Sequence, residues 1–283
     1  MYKILSKRML TPVTKLFEVE APLVAQKAQP GQFVIVRIRP EGERIPLTVA
    51  DFSPERGAVT IIVQEVGKTT QMMGRLKEGD CILDFLGPLG RPAEIRGSGS
   101  VVCVGGGFGV APIFPIARAL YRRGVSVTSI IGARTRELVI LEEEVKAVSH
   151  RLFVTTDDGS YARRGLVTDV LQELIEAKDP IDEVIAIGPM VMMRAVAETT
   201  RPYGIKTFVS MDPIMVDGTG MCGACRVEVG GKTRFACVDG PIFDAHQVDF
   251  ALAQKRGKMY AAEQQRAMAE PGPCGGAGGS PCH

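Results

Sequence analysis

Residues Val101–Pro112 read V-V-C-V-G-G-G-F-G-V-A-P. Four apolar residues in a row suit a strand buried on both faces, and the glycines that follow suit a tight turn. Pro112 fits the first turn of a helix, where a missing N–H costs nothing. The run P-I-F-P-I-A-R-A-L-Y-R-R-G carries that helix to a stop at Gly124. A glycine turn between strand and helix lets backbone approach a pyrophosphate, and the helix start offers orphan N–H groups. Gly105, Gly106, Gly107, Gly109, Ala111 and Pro112 are therefore candidates for binding a nucleotide cofactor. The spacing is not G-x-G-x-x-G, and a ligand-free strand-to-helix turn has the same appearance.

On the C-terminal side the pattern repeats as strand and helix in alternation. V-S-V-T-S-I-I-G-A-R, R-L-F-V-T-T-D-D-G, E-V-I-A-I-G-P and I-K-T-F-V-S read as strands. L-V-T-D-V-L-Q-E-L-I-E-A and M-V-M-M-R-A-V-A-E-T-T-R-P-Y-G read as helices, the first with Val167, Val170, Leu171, Leu174 and Ile175 on one stripe. Alternating units of this kind predict a mainly parallel, doubly wound α/β nucleotide-binding domain over residues 98–210. Ligands of such sheets lie outside the carboxyl ends of the strands. Gly188, Pro189 and Met190 occupy one such end and Asp157 another. Arg134 follows the strand that ends near Gly132. No acidic residue directly follows that strand, so Arg134 suits a 2′-phosphate, a pyrophosphate or a surface turn. NAD(H) and NADP(H) both remain open.

On the N-terminal side, K-L-F-E-V-E-A-P, G-Q-F-V-I-V-R-I-R-P, G-A-V-T-I-I-V-Q-E-V and D-C-I-L-D-F-L-G are short runs parted by glycine and proline. They predict a small antiparallel β-barrel over residues 1–97, bounded by R-G-S-G-S at Arg96–Ser100. Within it E-R-I-P-L-T supplies Arg44, Pro46, Leu47 and Thr48. An arginine ahead of a strand that carries a hydroxyl can hold a phosphate while the hydroxyl meets a polar ring edge. E-V-G-K-T-T supplies Gly67, Lys68 and Thr69 as a second phosphate cradle. Each stretch alone reads equally well as a surface turn.

Beyond the α/β pattern, D-G-T-G-M-C-G-A-C runs from Asp217 to Cys225 and F-A-C ends at Cys237. Asp217, Cys222, Cys225 and Cys237 fall on the x4, x2, distant-Cys spacing of a [2Fe–2S] site, with a carboxylate in the first slot. Asp212 and Asp239 are other oxygen donors nearby, but only Asp217 has the x4 spacing. The intervening R-V-E-V-G-G-K-T-R-F alternates and turns at Gly230 and Gly231, which predicts a hairpin that returns the chain to the cluster. Zinc is the competing reading, yet it favours Cys or His in the first slot, and His246 is off the spacing. The cluster segment spans 211–245 and a C-terminal helix is expected over 246–270, from about Phe250 to Ala269. A flexible glycine-rich tail over 271–283 follows, in which Cys274, Cys282 and His283 are either solvated or metal-binding.

With 283 residues the chain has room for two domains, and 34 basic against 32 acidic residues give nucleic acid no handle. The opening M-Y-K-I-L-S-K-R-M-L has no export signal. The apolar stretch Val101–Ala117 is broken by glycines and prolines and predicts no membrane insertion. Three of seven cysteines sit in one constellation, which fits metal binding in a reducing cytoplasm. Cys81 and Cys103 lie in apolar strands and read as packing residues.

R-I-P-L-T, V-G-K-T-T, G-G-G-F-G-V-A-P, I-G-P-M and P-I-M-V-D-G-T-G-M-C-G-A-C-R-V together resemble the ferredoxin reductase superfamily over residues 1 to about 260. Within it the chain is similar to the electron-transfer subunit of dihydroorotate dehydrogenase. It is more similar to the small (alpha) subunit of NADH-dependent reduced ferredoxin:NADP oxidoreductase, also called sulfide dehydrogenase, which shares Asp where the former has Cys. The resemblance implies FAD, with Arg44 on its phosphate and Thr48 near isoalloxazine N5 as the catalytic hydrogen-bonding group. It departs at Thr69, where the family has a second glycine. It further implies NAD(H), a [2Fe–2S] cluster, a larger flavin and iron–sulfur partner in a heterodimer, and ferredoxin reached through that complex, with bifurcation of electrons possible there. A cluster-based redox-sensing module is the reading from a different class.

Overall fold

A computed structural model describes residues 1–269. The 271–283 tail, with Cys274, Cys282 and His283, lies outside the described residues. The N-terminal sheet comprises β1 (Tyr2–Thr11), β2 (Thr14–Glu20), β3 (Phe33–Arg37), β4 (Ile45–Ser53), β5 (Ala58–Gln64), β6 (Cys81–Ile82) and β7 (Asp84–Leu89). Short helices α1 (Pro22–Ala25) and α2 (Lys68–Arg75) interrupt it. The strand order is β6-β1-β2-β5-β4-β3-β7, and every pair is antiparallel. Its two edge strands are consecutive in the chain with only Leu83 between them, so the sheet curls into a nearly closed barrel. Alternate residues fill the interior: Ile4, Phe17, Val19, Val34, Val36, Val49, Ile61 and Val63 are each fully buried.

The second sheet begins with β8 (Ser100–Gly106), followed by α3 (Val110–Arg122), β9 (Ser126–Ala133) and α4 (Glu142–Lys146). It continues through β10 (Arg151–Thr156), β11 (Arg163–Arg164), α5 (Val167–Glu176), β12 (Glu183–Ile187), α6 (Met190–Thr200) and β13 (Lys206–Ser210). The cluster segment then supplies the hairpin β14 (Arg226–Val229) and β15 (Lys232–Phe235), the turn of helix α7 (Ala236–Asp239) and β16 (Ile242–Asp244). The order is β11-β10-β9-β8-β12-β13-β16, parallel throughout except for β16, which runs antiparallel to β13. Both faces are covered. Val101 and Cys103 pack on the α3 side with Ile113, Ile116 and Leu120, while Val102 and Val104 pack on the α5 and α6 side with Leu171 and Met193. That double burial is why β8 reads as an unbroken apolar run.

Two features depart from the sequence reading. The segment after Ser210 is joined to the α/β sheet, because β16 pairs through Phe208↔Asp244 and Ser210↔Ile242. The expected single helix from Phe250 to Ala269 is two helices, α8 (Phe250–Gly257) and α9 (Ala261–Ala269). Asp249 caps α8 by accepting the Leu252 N–H at 2.8 Å. Gly257 costs more backbone entropy in a helix than any residue but proline, and the chain turns there. α9 buries none of its residues, so no tertiary packing holds the two in line.

Phe17 is a fully buried anchor of the barrel. Phe17→Ala is expected to lower unfolding stability by about 3–5 kcal/mol in urea titrations. A loss below about 1 kcal/mol would contradict this packing.

Candidate functional site: a nucleotide crevice, a barrel strand and a cysteine loop

β8 and β12 are neighbours, but the chain leaves them in opposite directions, to β9 on one side and β13 on the other. A doubly wound sheet opens its ligand crevice at such a switch point. Here the crevice is framed by closely packed backbone, with the Met192 side chain against Gly106 and Gly188. A Cβ on Gly109 would lie 2.0 Å from the Ile187 carbonyl oxygen, and one on Gly188 2.9 Å from that of Gly106. The glycines of the two predicted motifs are thus pressed against each other, and no other residue fits. Gly107 has φ +53° and faces open space, the geometry a closely approaching ligand needs.

The other nucleotide candidates divide. Pro189 is exposed and Met190 half-buried at the start of α6. Arg134 and Asp157 are exposed and held together, because the Asp157 N–H donates to Ala133 O at 3.0 Å and the Asp158 N–H to Arg134 O at 3.3 Å. Ala111 and Pro112 are buried, and Ala111 packs with Ala50 and Ile62 of the barrel. The Ala111 side chain therefore joins the two domains. Thr155, which opens the T-T-D-D-G-S stretch read as another strand end, has a buried hydroxyl that lacks a partner at the same sheet edge, beside the position of Gly132.

In the barrel, Arg44 is exposed just ahead of β4, and Thr48 is half-buried where β4 pairs with Phe33 of β3. Leu47 points into the barrel core, and Pro46 is half-buried. The second cradle lies beside this strand, since the Thr69 hydroxyl donates to the Glu43 carboxylate. That hydroxyl is committed, so Thr69 has its backbone to offer a phosphate. Thr70 Oγ1 accepts the N–H groups of Gly67 at 2.9 Å and Val66 at 3.0 Å, which shapes the start of α2 and leaves Lys68 half-buried at its first position.

The cysteine loop wraps as its glycines allow, with Gly218, Gly220 and Gly223 at φ +77°, +88° and +65°. Four donors form two pairs. Cys222 Sγ donates to Asp217 Oδ1 at 3.4 Å, and Cys225 Sγ to Cys237 Sγ at 3.2 Å. The hairpin makes the second pair, bringing Phe235 opposite Arg226 and the Ala236 N–H to Cys225 O at 3.1 Å. Among the described residues no three His, Cys, Asp or Glu converge as one metal ion requires. Two pairs, one for each iron, suit a [2Fe–2S] core better than zinc. Of the three aspartates only Asp217 meets a cysteine. Asp239 is taken up by the Phe235 N–H at 2.8 Å and faces Arg91.

The electrostatics of the two pairs differ. The Thr219 N–H holds the Asp217 carboxyl below its usual range, with further help from Cys222. Burial, reinforced by Cys225, pushes the Cys237 thiol up to about 12. Binding metal there has to displace a firmly held proton. Cys103 is likewise pushed up to about 12 by burial, as an inert core thiol should be.

The three sites are neighbours. A Cβ on Gly218 would lie 2.8 Å from Leu89 and 2.9 Å from Ile35, and Ile35 pairs with Pro46 of β4. Phe33 and Ile35 share one buried cluster with Cys225 and Cys237. On the other side, Ala50 of β4 packs with Val110 and Ala111, which open the helix after the glycine turn. The strand bearing Thr48 thus packs on the helix that follows the nucleotide turn, and its paired neighbour β3 packs on the cysteine loop. No helix among the described residues is long and apolar enough to cross a membrane.

Comparison with known proteins agrees with this layout. Residues 103–198 match the oxidoreductase NAD-binding domain, and residues 212–249 the iron–sulfur cluster binding domain of dihydroorotate dehydrogenase B. A dihydroorotate dehydrogenase B (NAD(+)) electron transfer subunit homolog from Thermotoga maritima is 47% identical over 249 residues, covering 88% of each chain. The electron transfer subunit of that enzyme from Bacillus caldolyticus is 38% identical over 255 residues, covering 86% of this chain and 95% of its own. Among solved structures, one of an NADH-dependent reduced ferredoxin-NADP oxidoreductase, described for flavin-based electron bifurcation, superposes with a TM-score of 0.90. It is 43% identical and covers 95% of this chain and 96% of its own. This chain therefore belongs to the family of dihydroorotate dehydrogenase B-type electron transfer subunits and their homologues, oxidoreductase subunits built on the ferredoxin reductase fold.

Proposed function

We propose that the chain is the flavin and iron–sulfur subunit that passes electrons between NAD(H), FAD and a [2Fe–2S] cluster within a ferredoxin:NAD(P) oxidoreductase complex. The contacts of two paired barrel strands, β4 with the helix that follows the glycine turn and β3 with the cysteine loop, carry this reading. When bound, FAD supplies the exchange between hydride and single-electron chemistry, and the cluster supplies a one-electron site.

The chain's own residues bind and orient. Arg44 and the N–H groups at the start of α2, from Gly67 through Lys68 and Thr69, would hold flavin phosphates. The Thr48 hydroxyl would hydrogen-bond the polar edge of the flavin ring, with no proton to transfer. Gly105, Gly106, Gly107 and Gly109, with Gly188, Pro189 and Met190 opposite, would seat the nicotinamide nucleotide against bare backbone. Asp217, Cys222, Cys225 and Cys237 would ligate the cluster. Removing FAD from the purified complex should abolish NADH oxidation with a dye acceptor, and adding FAD back should restore it. An undiminished rate without flavin would sink the proposal, and steady turnover would exclude a purely redox-sensing role.

Asp157 bears on the choice of nucleotide. An exposed carboxylate at this sheet edge suits a ribose 2′-hydroxyl and repels a 2′-phosphate, whereas Arg134 beside it would attract one. The match to NAD-binding domains supports NAD(H). NADPH is expected to bind at least about tenfold more weakly than NADH, which is about 1.4 kcal/mol. Asp157→Ala should narrow that gap and Arg134→Ala widen it, as read by fluorescence titration of both nucleotides.

The electron leaves through a surface. Cys222 is exposed, and around it stand Met221 (88% exposed), Val216 (50%) and Val238 (39%). An apolar rim about a redox site suits a larger flavin and iron–sulfur partner in a heterodimer, through which ferredoxin would be reached. The names of the curated relatives favour a second reading, the electron transfer subunit of dihydroorotate dehydrogenase. Asp217 speaks for the first, since that subunit has Cys in this slot. Anaerobic co-purification discriminates them by whether the partner carries iron–sulfur clusters or a pyrimidine-binding barrel with FMN. Free thiols at Cys103, Cys222, Cys225 and Cys237 suit a reducing, cytoplasmic setting. Asp217→Cys should retain a [2Fe–2S] cluster but shift its EPR spectrum and midpoint potential, because an oxygen ligand is harder than a thiolate. Identical spectra would mean that the fourth ligand lies elsewhere.

A further inference from the structure

In β4, Leu47 and Val49 face the barrel core, so simple alternation would send Asp51 inward beside them. It does not go there. Val49 pairs with Ile61 and Asp51 with Thr60, which leaves Ala50 as an extra residue. A bulge of this kind re-aims the side chain that follows it, and Asp51 emerges on the outer face. Its carboxylate meets both terminal nitrogens of Arg118 on α3, Nη1 at 2.7 Å. Arg118 is 16% exposed, Asp51 is 37% exposed, and the guanidinium lies 5.2 Å from the centroid of the Phe114 ring.

The pair spans the seam between barrel and nucleotide domain. A second pair, Arg8 to Glu144 at 3.0 Å, crosses the same seam with the charges reversed and more exposure. Asp51, Arg8, Glu144 and Phe114 also line a cavity of about 350 Å³. Apolar packing therefore leaves slack at the seam, and a bidentate ion pair supplies geometric definition that packing there lacks. Asp51 stands three residues after Thr48, and Arg118 rides the helix that the glycine turn opens.

We propose that Asp51 and Arg118 are a positioning pair that fixes the angle between the Thr48 strand and the glycine turn. This rests on the reading of flavin at the first and nicotinamide at the second. The pair touches no reacting atom. It holds the two surfaces between which a hydride, two electrons and a proton, leaves the dihydronicotinamide and reduces the flavin. A misplacement of about 1 Å there can cost about a hundredfold in rate.

The test is anaerobic stopped-flow bleaching of the flavin by NADH in the FAD-loaded complex. Asp51→Asn and Arg118→Gln should slow the limiting rate about tenfold or more, with flavin content unchanged and the NADH Kd within about twofold. The charge swap Asp51→Arg with Arg118→Asp should recover most of that rate. Wild-type rates in the single variants, or a swap as slow as they are, would overturn the pair's role. Should the single variants lose flavin, Asp51→Glu decides: it keeps the charge but shifts its reach, so a slowed rate supports the proposal and an unchanged one overturns it. If NADH fails to bleach the unmodified complex, the functional reading fails instead. Hydrogen exchange then judges the pair: faster exchange of the Val110–Phe114 amides in the single variants, reversed by the swap, supports it, and unchanged exchange overturns it.

Discussion

The nucleotide crevice and the cysteine loop both depend on glycine backbone approaching a neighbour more closely than a side chain permits. Gly109 stands against the Ile187 carbonyl, Gly188 against that of Gly106, and Gly218 against Ile35 and Leu89. A methyl group at any of these points would overlap a neighbour, and the clash would be with main chain at the first two. Without the first two contacts the switch point of the sheet would open and lose its crevice. Without the third the cysteine loop would stand away from β3 and β7, and so from the barrel. Electron transfer falls steeply with distance between centres, so these contacts matter to function before any catalytic side chain does.

Around that frame the charged and polar groups do different work. Thr69 gives its hydroxyl to Glu43, which ties the two barrel motifs together and reserves the backbone N–H groups of α2 for an anion. Asp217 is held ready as an anion by backbone donors, whereas Cys237 keeps its proton through burial. The two halves of the proposed ligand set therefore differ in hardness, one offering a carboxylate and a thiol and the other two thiols. Such asymmetry gives a two-iron centre two inequivalent sides, one at the exposed rim and one in the core with Phe33 and Ile35.

Much of this was legible in the chain. Val101–Val104 announced a doubly buried strand because both faces demand apolar residues, and the glycine turn announced a crevice because only glycine fits. The spacing of Asp217, Cys222, Cys225 and Cys237 announced a cluster because local loop geometry sets which donors can meet. Other features were hidden for equally physical reasons. β16 is three residues long and borrows its register from β13, so no periodicity marks it. Ala111 looked like a ligand contact because it follows the turn, yet helical rotation carries its side chain to the seam, and Pro112 is buried as well. The break at Gly257 was missed because a single glycine does not end a helix unless packing is also absent.

The sequence by itself determined the barrel and the doubly wound sheet and proposed a set of cluster donors, since each is written in contiguous periodicity or fixed spacing. Only the tertiary structure decided that two paired strands, β3 and β4, join the three candidate sites, and that a bulge at Ala50 turns Asp51 toward Arg118. Both depend on how separate elements lie against each other. That information is shared among residues far apart in the chain, and no local pattern can hold it.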